Sequence, residues 1–308
     1  MLVSADNKAY DLAKKTYIVL GNFDGIHLGH RKLIDKACAL ADENDALSMI
    51  YTFKDHPLKL IDIKNSPQLL MDNERRIQVF ESLGVDAVKF QDFDEIIMKM
   101  DPEDFIKKLV QQYKPKGIVV GFNFRFGYKN SGDVNLIKKL ERKYNYKLYV
   151  INAVKIGNTI VSSSLIRGFI KDGNLQSANI FLGSVFSIYG KVIHGKEIGR
   201  KLDFPTANLD YSDYIIPGSG VYYTNVLYKS ALYKGITNIG YNPTISAGNP
   251  IRIETHILDF NKDVYDDYIR IFFVKKTRGE IKFDSLDGLK NQLKSDKEAA
   301  RKEDFINL

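Results

Sequence analysis

The feature that most limits what this chain can fold into is an alternation that runs through its first half and then stops. Five short apolar runs read as buried strands: TYIVL (16–20), LSMIYTF (47–53), DAVKF (86–90), GIVVG (117–121) and KLYVI (147–151). Helical patterns lie between them at 30–43, 72–83, 103–113 and 133–143. In the last of these Val134, Ile137 and Leu140 share one face. Asp101-Pro102-Glu103 offers a capping oxygen followed by a proline at the first helical position. Such a chain builds a parallel sheet covered by helices on both faces. After Gly183 the pattern becomes β-rich: VFSIYGKVI, VYYTNVLY, ALYKGITNI, IRIETHILDF and YIRIFFV, with turn residues between them. A last helix is expected from about Ser285, with Leu286, Leu289 and Leu293 on one face. Several short strands followed by one helix predict an antiparallel barrel. The expectation is α/β and then mostly β, divided into domains at 1–183 and 184–308.

Composition narrows the partners. The 308 residues carry 45 Lys and Arg against 38 Asp and Glu, a net charge of +7. That excess suits anionic partners such as nucleotides, nucleic acid or an acidic membrane surface, without choosing among them. The basic residues form no long run, so a nucleic-acid tail is not expected; the partners expected are small molecules, with neither nucleic acid nor membrane. The single cysteine, Cys38, excludes an intrachain disulfide, fits a reducing compartment, and reads as a small buried residue. No stretch approaches the roughly 18 apolar residues of a membrane span, and the first residues hold no signal-like apolar run. A cytoplasmic monomer or weak oligomer is expected.

The strand at 16–20 runs directly into GNFDGIHLGH (21–30), and a helix follows. Ligands of doubly wound sheets sit at the carboxyl ends of strands, and a helix N-terminus there presents unpaired N–H groups to phosphate. Gly21, Gly25 and Gly29 allow tight turns and close approach of backbone to ligand. His27 and His30, three residues apart, face one side of the first helical turn. There they are placed to donate hydrogen bonds to phosphate oxygens as charge builds. The alternatives are metal ligation, for which Asp24 is the only local third ligand, and plain surface exposure.

GNFDGIHLGH resembles the HxGH signature of nucleotidyltransferases, in the FDGxHxGH form of bacterial FAD synthetases. The resemblance implies a Rossmann-like domain over 1–183 that transfers AMP from ATP. It also implies that His27 and His30 bind the ATP phosphates and that Phe23, Asp24 and Gly25 belong to the site. VSSSLIRGFI (161–170) resembles the family's SSTxIR segment, in which Ser162, Ser163 and Ser164 cap a helix and Arg167 projects from its first turn toward phosphate. Ser164 stands where threonine is usual. GFNFRFGYKNSGDV (121–134) resembles the GxDFxFG loop of the ATP and flavin site, with Asn123 in place of aspartate. Phe124 and Phe126 read equally as core plugs. TFKDHP (52–57), with Phe53 and His56, resembles the TFxxHP loop near the flavin.

The second half opens with GKVIHGKEIGRKLDFPTANL (190–209), which is not a P-loop because GxxxxGK[ST] is absent. It resembles the riboflavin kinase signature GxVxxGxxxGRxLGFPTAN, contributing Gly190, Gly195, Gly199, Arg200 and Pro205, with Asp203 where glycine is usual. The resemblance implies that Thr206 and Asn208 hold Mg²⁺, a hard cation suited to hydroxyl and amide oxygens. IETHILDF (253–260) resembles the family's VExHLLDF strand. By alternation Glu254, His256 and Leu258 share a face, and Glu254 matches the general base, a solvated strand residue being the plain alternative. NIGYNPTI (238–245), starting at Asn238, resembles a loop that shapes the site. The resemblance covers about residues 16–301. It implies a bifunctional riboflavin kinase/FMN adenylyltransferase that uses ATP and Mg²⁺ to make FMN from riboflavin and then FAD from FMN. The other readings are one active half alone, a flavin- or nucleic-acid-binding regulator without catalysis, and adenylylation of a molecule other than FMN.

Overall fold

The computed structural model describes residues 1–4, 14–195, 204–211, 213–241 and 251–307. The chain divides into two compact units. The first comprises Met1–Pro67 and Asp72–Ser162, the second Gln68–Met71 and Ser163–Leu308.

In the first unit six strands form one sheet: β1 (Leu2–Ser4), β2 (Thr16–Leu20), β3 (Leu47–Phe53), β4 (Ala87–Gln91), β5 (Pro115–Gly121) and β6 (Lys147–Ile151). Every pair is parallel, in the order β1–β4–β3–β2–β5–β6. The longer helices are α1 (Leu28–Glu43), α2 (Asn73–Ser82), α3 (Pro102–Tyr113) and α4 (Val134–Tyr144). Local chemistry fixes their starts. The Asp101 carboxylate accepts the Glu103 N–H at 2.8 Å with Pro102 opening α3, and Asp72 and Asp133 cap α2 and α4 in the same way. Phe105, Ile106 and Leu109 of α3 and Ile137 and Leu140 of α4 pack with Ile18, Leu20, Met49, Ile118 and Val120 of the sheet. Helix α1 packs against β2, β3 and β5. Strand β1 was not anticipated, because three residues are too few to show a period. The strand order reverses at β2: β3 and β4 follow on one side, β5 and β6 on the other. The carboxyl end of β2 therefore opens on a crevice.

The second unit begins with α5 (Ser163–Lys171) and α6 (Leu175–Leu182). Six antiparallel strands follow: β7 (Ser187–Ile193), β8 (Ala207–Asp210), β9 (Gly220–Tyr228), β10 (Ala231–Tyr241), β11 (Ile251–Ile257) and β12 (Tyr268–Arg278). They close into a barrel in the order β7–β8–β11–β10–β9–β12, with β12 pairing back on β7. Asn179 of α6 ties helix to barrel: its Oδ1 accepts the Phe186 N–H at 2.8 Å and its Nδ2 donates to Phe273 O at 2.9 Å. The last helix, α7 (Leu286–Arg301), is capped by Ser285, whose Oγ accepts the Gly288 N–H at 3.1 Å. Its packing departs from expectation. Leu286 is 69% exposed, and Ala300 with Leu293 meets the apolar outer wall at Phe204, Val221, Tyr223, Ile236 and Leu258.

Small barrels are filled by their own side chains. Here the filling includes a chain of three hydroxyls, Thr224–Thr237–Thr255, joined by two hydrogen bonds of 2.9 Å, each residue 0% exposed. Thr237→Val keeps the shape and removes both bonds. We expect it to destabilise the second unit by about 1–3 kcal/mol, read as a lower midpoint in urea with an unchanged slope.

Candidate active sites

Strand β2 delivers the chain into a loop that turns sharply before α1. Phe23, Gly25 and Ile26 all have positive φ, at 48°, 85° and 42°. A left-handed conformation is rare for non-glycine residues and rarest for a β-branched one, so Ile26 is held under strain by its surroundings. Phe23 and Ile26 are fully buried. The Phe23 ring meets Phe80 edge-on at 5.8 Å and tilts against His30 at 5.0 Å. The Phe23 side chain supports the loop from inside.

His27 is the N-cap of α1, and its Nδ1 accepts the His30 N–H at 3.3 Å. Neutral His27 therefore carries its proton on Nε2. The His27 and His30 rings stack at 3.7 Å with an 11° angle, so the three-residue spacing places them side by side. His30 Nδ1 is buried without a hydrogen-bond partner. Burial first, then the nearby His27 and Arg76 charges, holds the His30 imidazole well below its usual range and hence neutral. Among the described residues no group of three His, Cys, Asp or Glu side chains is placed to hold a metal, so Asp24 does not complete a metal site with the two histidines.

Beside this loop lies a cavity of about 490 Å³ lined by Gly21, Phe53, His56, Asn123, Phe124 and Lys129, among others. His27 and His30 do not line it. Two aromatic pairs flank it: Phe53 meets Phe93 edge-on at 5.0 Å, and Phe124 stacks on Phe126 at 5.6 Å. Phe126 is buried and Phe124 packs against the same core, so both serve as core plugs as well as cavity wall. His56 Nδ1 accepts the Leu58 N–H at 3.2 Å. Ser163 and Ser164 open α5. Arg167 is the fifth residue of that helix, beyond its first turn, and its Nε donates to Gln68 O at 2.8 Å within the second unit.

Sequence reasoning passed over Arg76, which ties the loop after β2 to the end of β3. The available signal was a charged residue sharing a helix face with Val79 and Phe80.

On the barrel, register builds the second constellation. Glu254 of β11 lies opposite Asn208 of β8 on one side and Asn238 of β10 on the other. Thr255 points inward, so alternation turns Glu254, Asn208 and Asn238 to the outer face. The Glu254 side chain is 31% exposed, and the Arg252 guanidinium stands 3.8 Å from it. Thr206 and Pro205 line a hollow of about 320 Å³ with Thr255, Phe260 and Tyr265, whereas Asn208 and Gly195 line another of about 410 Å³. Glu254 borders neither hollow. A Cβ on Gly195 would come within 2.1 Å of the Asn208 amide nitrogen, so glycine there admits that side chain. Gly190 lies inside β7, where a Cβ would come within 2.1 Å of Asp210 O on β8, so the close approach of that strand requires the glycine. Gly199, Arg200 and Asp203 lie outside the described residues. His256 was also missed as a site residue. Its Nδ1–H donates to Pro205 O at 2.8 Å while its ring stacks on Phe204 at 3.7 Å, steadying the segment that leads into Thr206. Burial holds this imidazole below its usual range.

Two family models match the chain in succession, FAD synthetase over residues 10–165 and riboflavin kinase over residues 182–303. A bifunctional riboflavin kinase/FMN adenylyltransferase of Buchnera aphidicola is 35% identical over 94% of this chain and 94% of its own length. One from Bacillus subtilis is 33% identical over 93% of this chain and 92% of its own. A solved structure described as a macrolide-efflux protein from Streptococcus pneumoniae covers 98% of this chain and 99% of its own, with a TM-score of 0.86 and 28% identity. Among the described residues of this chain no helix is long and apolar enough to cross a membrane. Both catalytic families are thus matched in order along a single polypeptide, and the chain belongs to the bifunctional riboflavin kinase/FMN adenylyltransferases, which make FMN from riboflavin and FAD from FMN.

Proposed function

We propose that adenylyl transfer runs at the start of α1 and riboflavin phosphorylation on the outer wall of the barrel. The observation that carries this reading is the row Asn208–Glu254–Asn238, in which three strands set a carboxylate between two amides on one outward face.

In the kinase reaction Glu254 accepts the proton of the riboflavin 5′-hydroxyl. That oxygen attacks the γ-phosphorus of ATP, and the bond to the β-phosphate oxygen breaks to release ADP. Thr206 and Asn208 suit Mg²⁺. Both offer neutral oxygens and both are half-buried; Thr206 directly precedes β8, and Asn208, two residues on within β8, neighbours Glu254. Mg²⁺ held there supplies positive charge to the phosphates. Gly195 lets the chain lie close to Asn208.

In the adenylyl reaction the loop 21–30 and the first N–H groups of α1 hold the ATP phosphates. His27 donates from Nε2. Neutral His30 gains charge as phosphate approaches, because a nearby anion raises an imidazole pKa. The cavity with Phe53, His56, Asn123 and Phe124 offers flat apolar walls to the flavin ring. The FMN phosphate oxygen attacks the α-phosphorus in line, and pyrophosphate leaves with the bonding electrons. Neither reaction needs a covalent enzyme intermediate; positioning and charge stabilisation suffice. Ser162, Ser163, Ser164 and Arg167 are assigned to ATP phosphate on their motif alone. Small molecules are the partners, and a cytoplasmic location accords with the lone Cys38, whose thiol burial pushes up.

Purified protein given riboflavin, ATP and Mg²⁺ is expected to yield FMN and then FAD on a chromatogram; neither product appearing refutes the reading. Glu254→Gln is expected to slow FMN formation by about 10²–10⁴-fold while conversion of supplied FMN to FAD stays near wild type. Equal loss of both activities argues against independent sites. Conversely, His30→Ala is expected to cost about 10²–10³-fold in FAD formation and to spare FMN formation.

A further inference from the structure

Arg76 of α2 is 5% exposed. Its Nη1 donates to Phe53 O at 3.0 Å and to Asn73 Oδ1 at 2.8 Å. Its Nη2 donates to Asn22 O at 2.8 Å and to Thr52 Oγ1 at 2.5 Å, and Thr52 Oγ1 itself donates to Asn22 O at 3.1 Å. The guanidinium lies 5.0 Å over the Phe90 ring. All four hydrogen-bond acceptors are neutral oxygens. Asp24, Asp55 and Asp72 act on the charge only at longer range, and burial draws the group down to about 10, still fully protonated at neutral pH.

The placement of these acceptors is informative. Asn22 immediately precedes Phe23, the first left-handed residue of the strained loop, and Phe53 ends β3 where the segment carrying His56 begins. Asn22, Thr52 and Phe53 all line the 490 Å³ cavity. A strained loop keeps its shape only where its neighbours over-determine it. One planar fork reaches both segments, together with the Thr52 hydroxyl that the fork itself holds. A lysine ammonium is a point donor on a flexible stem and has no fixed fork with which to span both carbonyls.

We propose that Arg76 is a positioning residue for adenylyl transfer, clamping the turn that leads into His27 and His30 to the end of β3, from which Phe53 leads into the segment carrying His56. It touches no reacting atom and acts through the two carbonyls. The proposal rests on adenylyl transfer occurring at the start of α1.

The test uses the full chain and measures FAD formation from supplied FMN and ATP for wild type, Arg76→Lys and Arg76→Met, with a melting curve for each. Misplacement of catalytic groups by about an ångström costs on the order of 10²-fold in rate. Both variants are therefore expected to lose kcat to that extent, at temperatures well below their melting points, with much smaller changes in KM for ATP and FMN. The lysine variant keeps the charge but not the fork, so it is expected to stay close to the methionine variant. Guanidinium ion added to Arg76→Ala is expected to restore part of the rate. FMN formation from riboflavin in the same preparations reports that each chain has folded. Recovery by Arg76→Lys to within about threefold of wild type overturns the clamp in favour of charge alone. A lowered melting point with unchanged kcat overturns it in favour of a purely structural role. Wild-type FAD formation that is untouched by His30→Ala instead removes the location on which the proposal stands, and so tells that failure apart from the other two.

Discussion

The turn between β2 and α1 is the constraint on which the first unit's proposed chemistry depends. The chain must leave a fully buried strand and enter a helix, and it has residues 21–27 in which to do so. It manages this with three left-handed residues, of which one alone is glycine. Such conformations cost roughly 1–3 kcal/mol each for residues with side chains. The offset comes from what the loop buries: Phe23 against Phe80 and Ile26 in the core. The strain is therefore not incidental. It allows a histidine to stand as helix cap and to stack a second histidine three residues later.

In the barrel the corresponding constraint is register. A shift of one residue between β8 and β11 would turn one strand's side chains to the opposite face from its neighbour's. Asn208, Glu254 and Asn238 would then no longer form a row. Closure supplies the fixed register, since each of the six strands is paired on both sides and none is free to slide.

Much of this could be read in the sequence because much of it is local. The five apolar runs became strands β2 to β6 because buried parallel strands leave a continuous apolar signature. Asp101-Pro102 marked the start of α3 because capping involves only near neighbours. His27 and His30 could be paired because three residues is nearly one helical turn. Where distant groups decide, sequence pattern was silent or misleading. Phe23 matched a binding motif, yet a motif does not say whether a ring faces in or out. Leu286 fitted an apolar stripe, but the helix meets the barrel nearer its other end, at Leu293 and Ala300. Gly190 matched a ligand-binding signature, while its need for a missing side chain arises from Asp210 on the adjacent strand. Arg76 draws its loop partners from 23 and 54 residues away, and all that the sequence showed of it was a charge on an apolar face.

The hydroxyl chain inside the barrel has a further meaning. With Thr224, Thr237 and Thr255 bonded across the interior, β9, β10 and β11 are tied through that interior by side chains as well as by backbone. The proposed catalytic row faces away from it. A change at Thr237, the middle hydroxyl, therefore reaches the strand on either side of it.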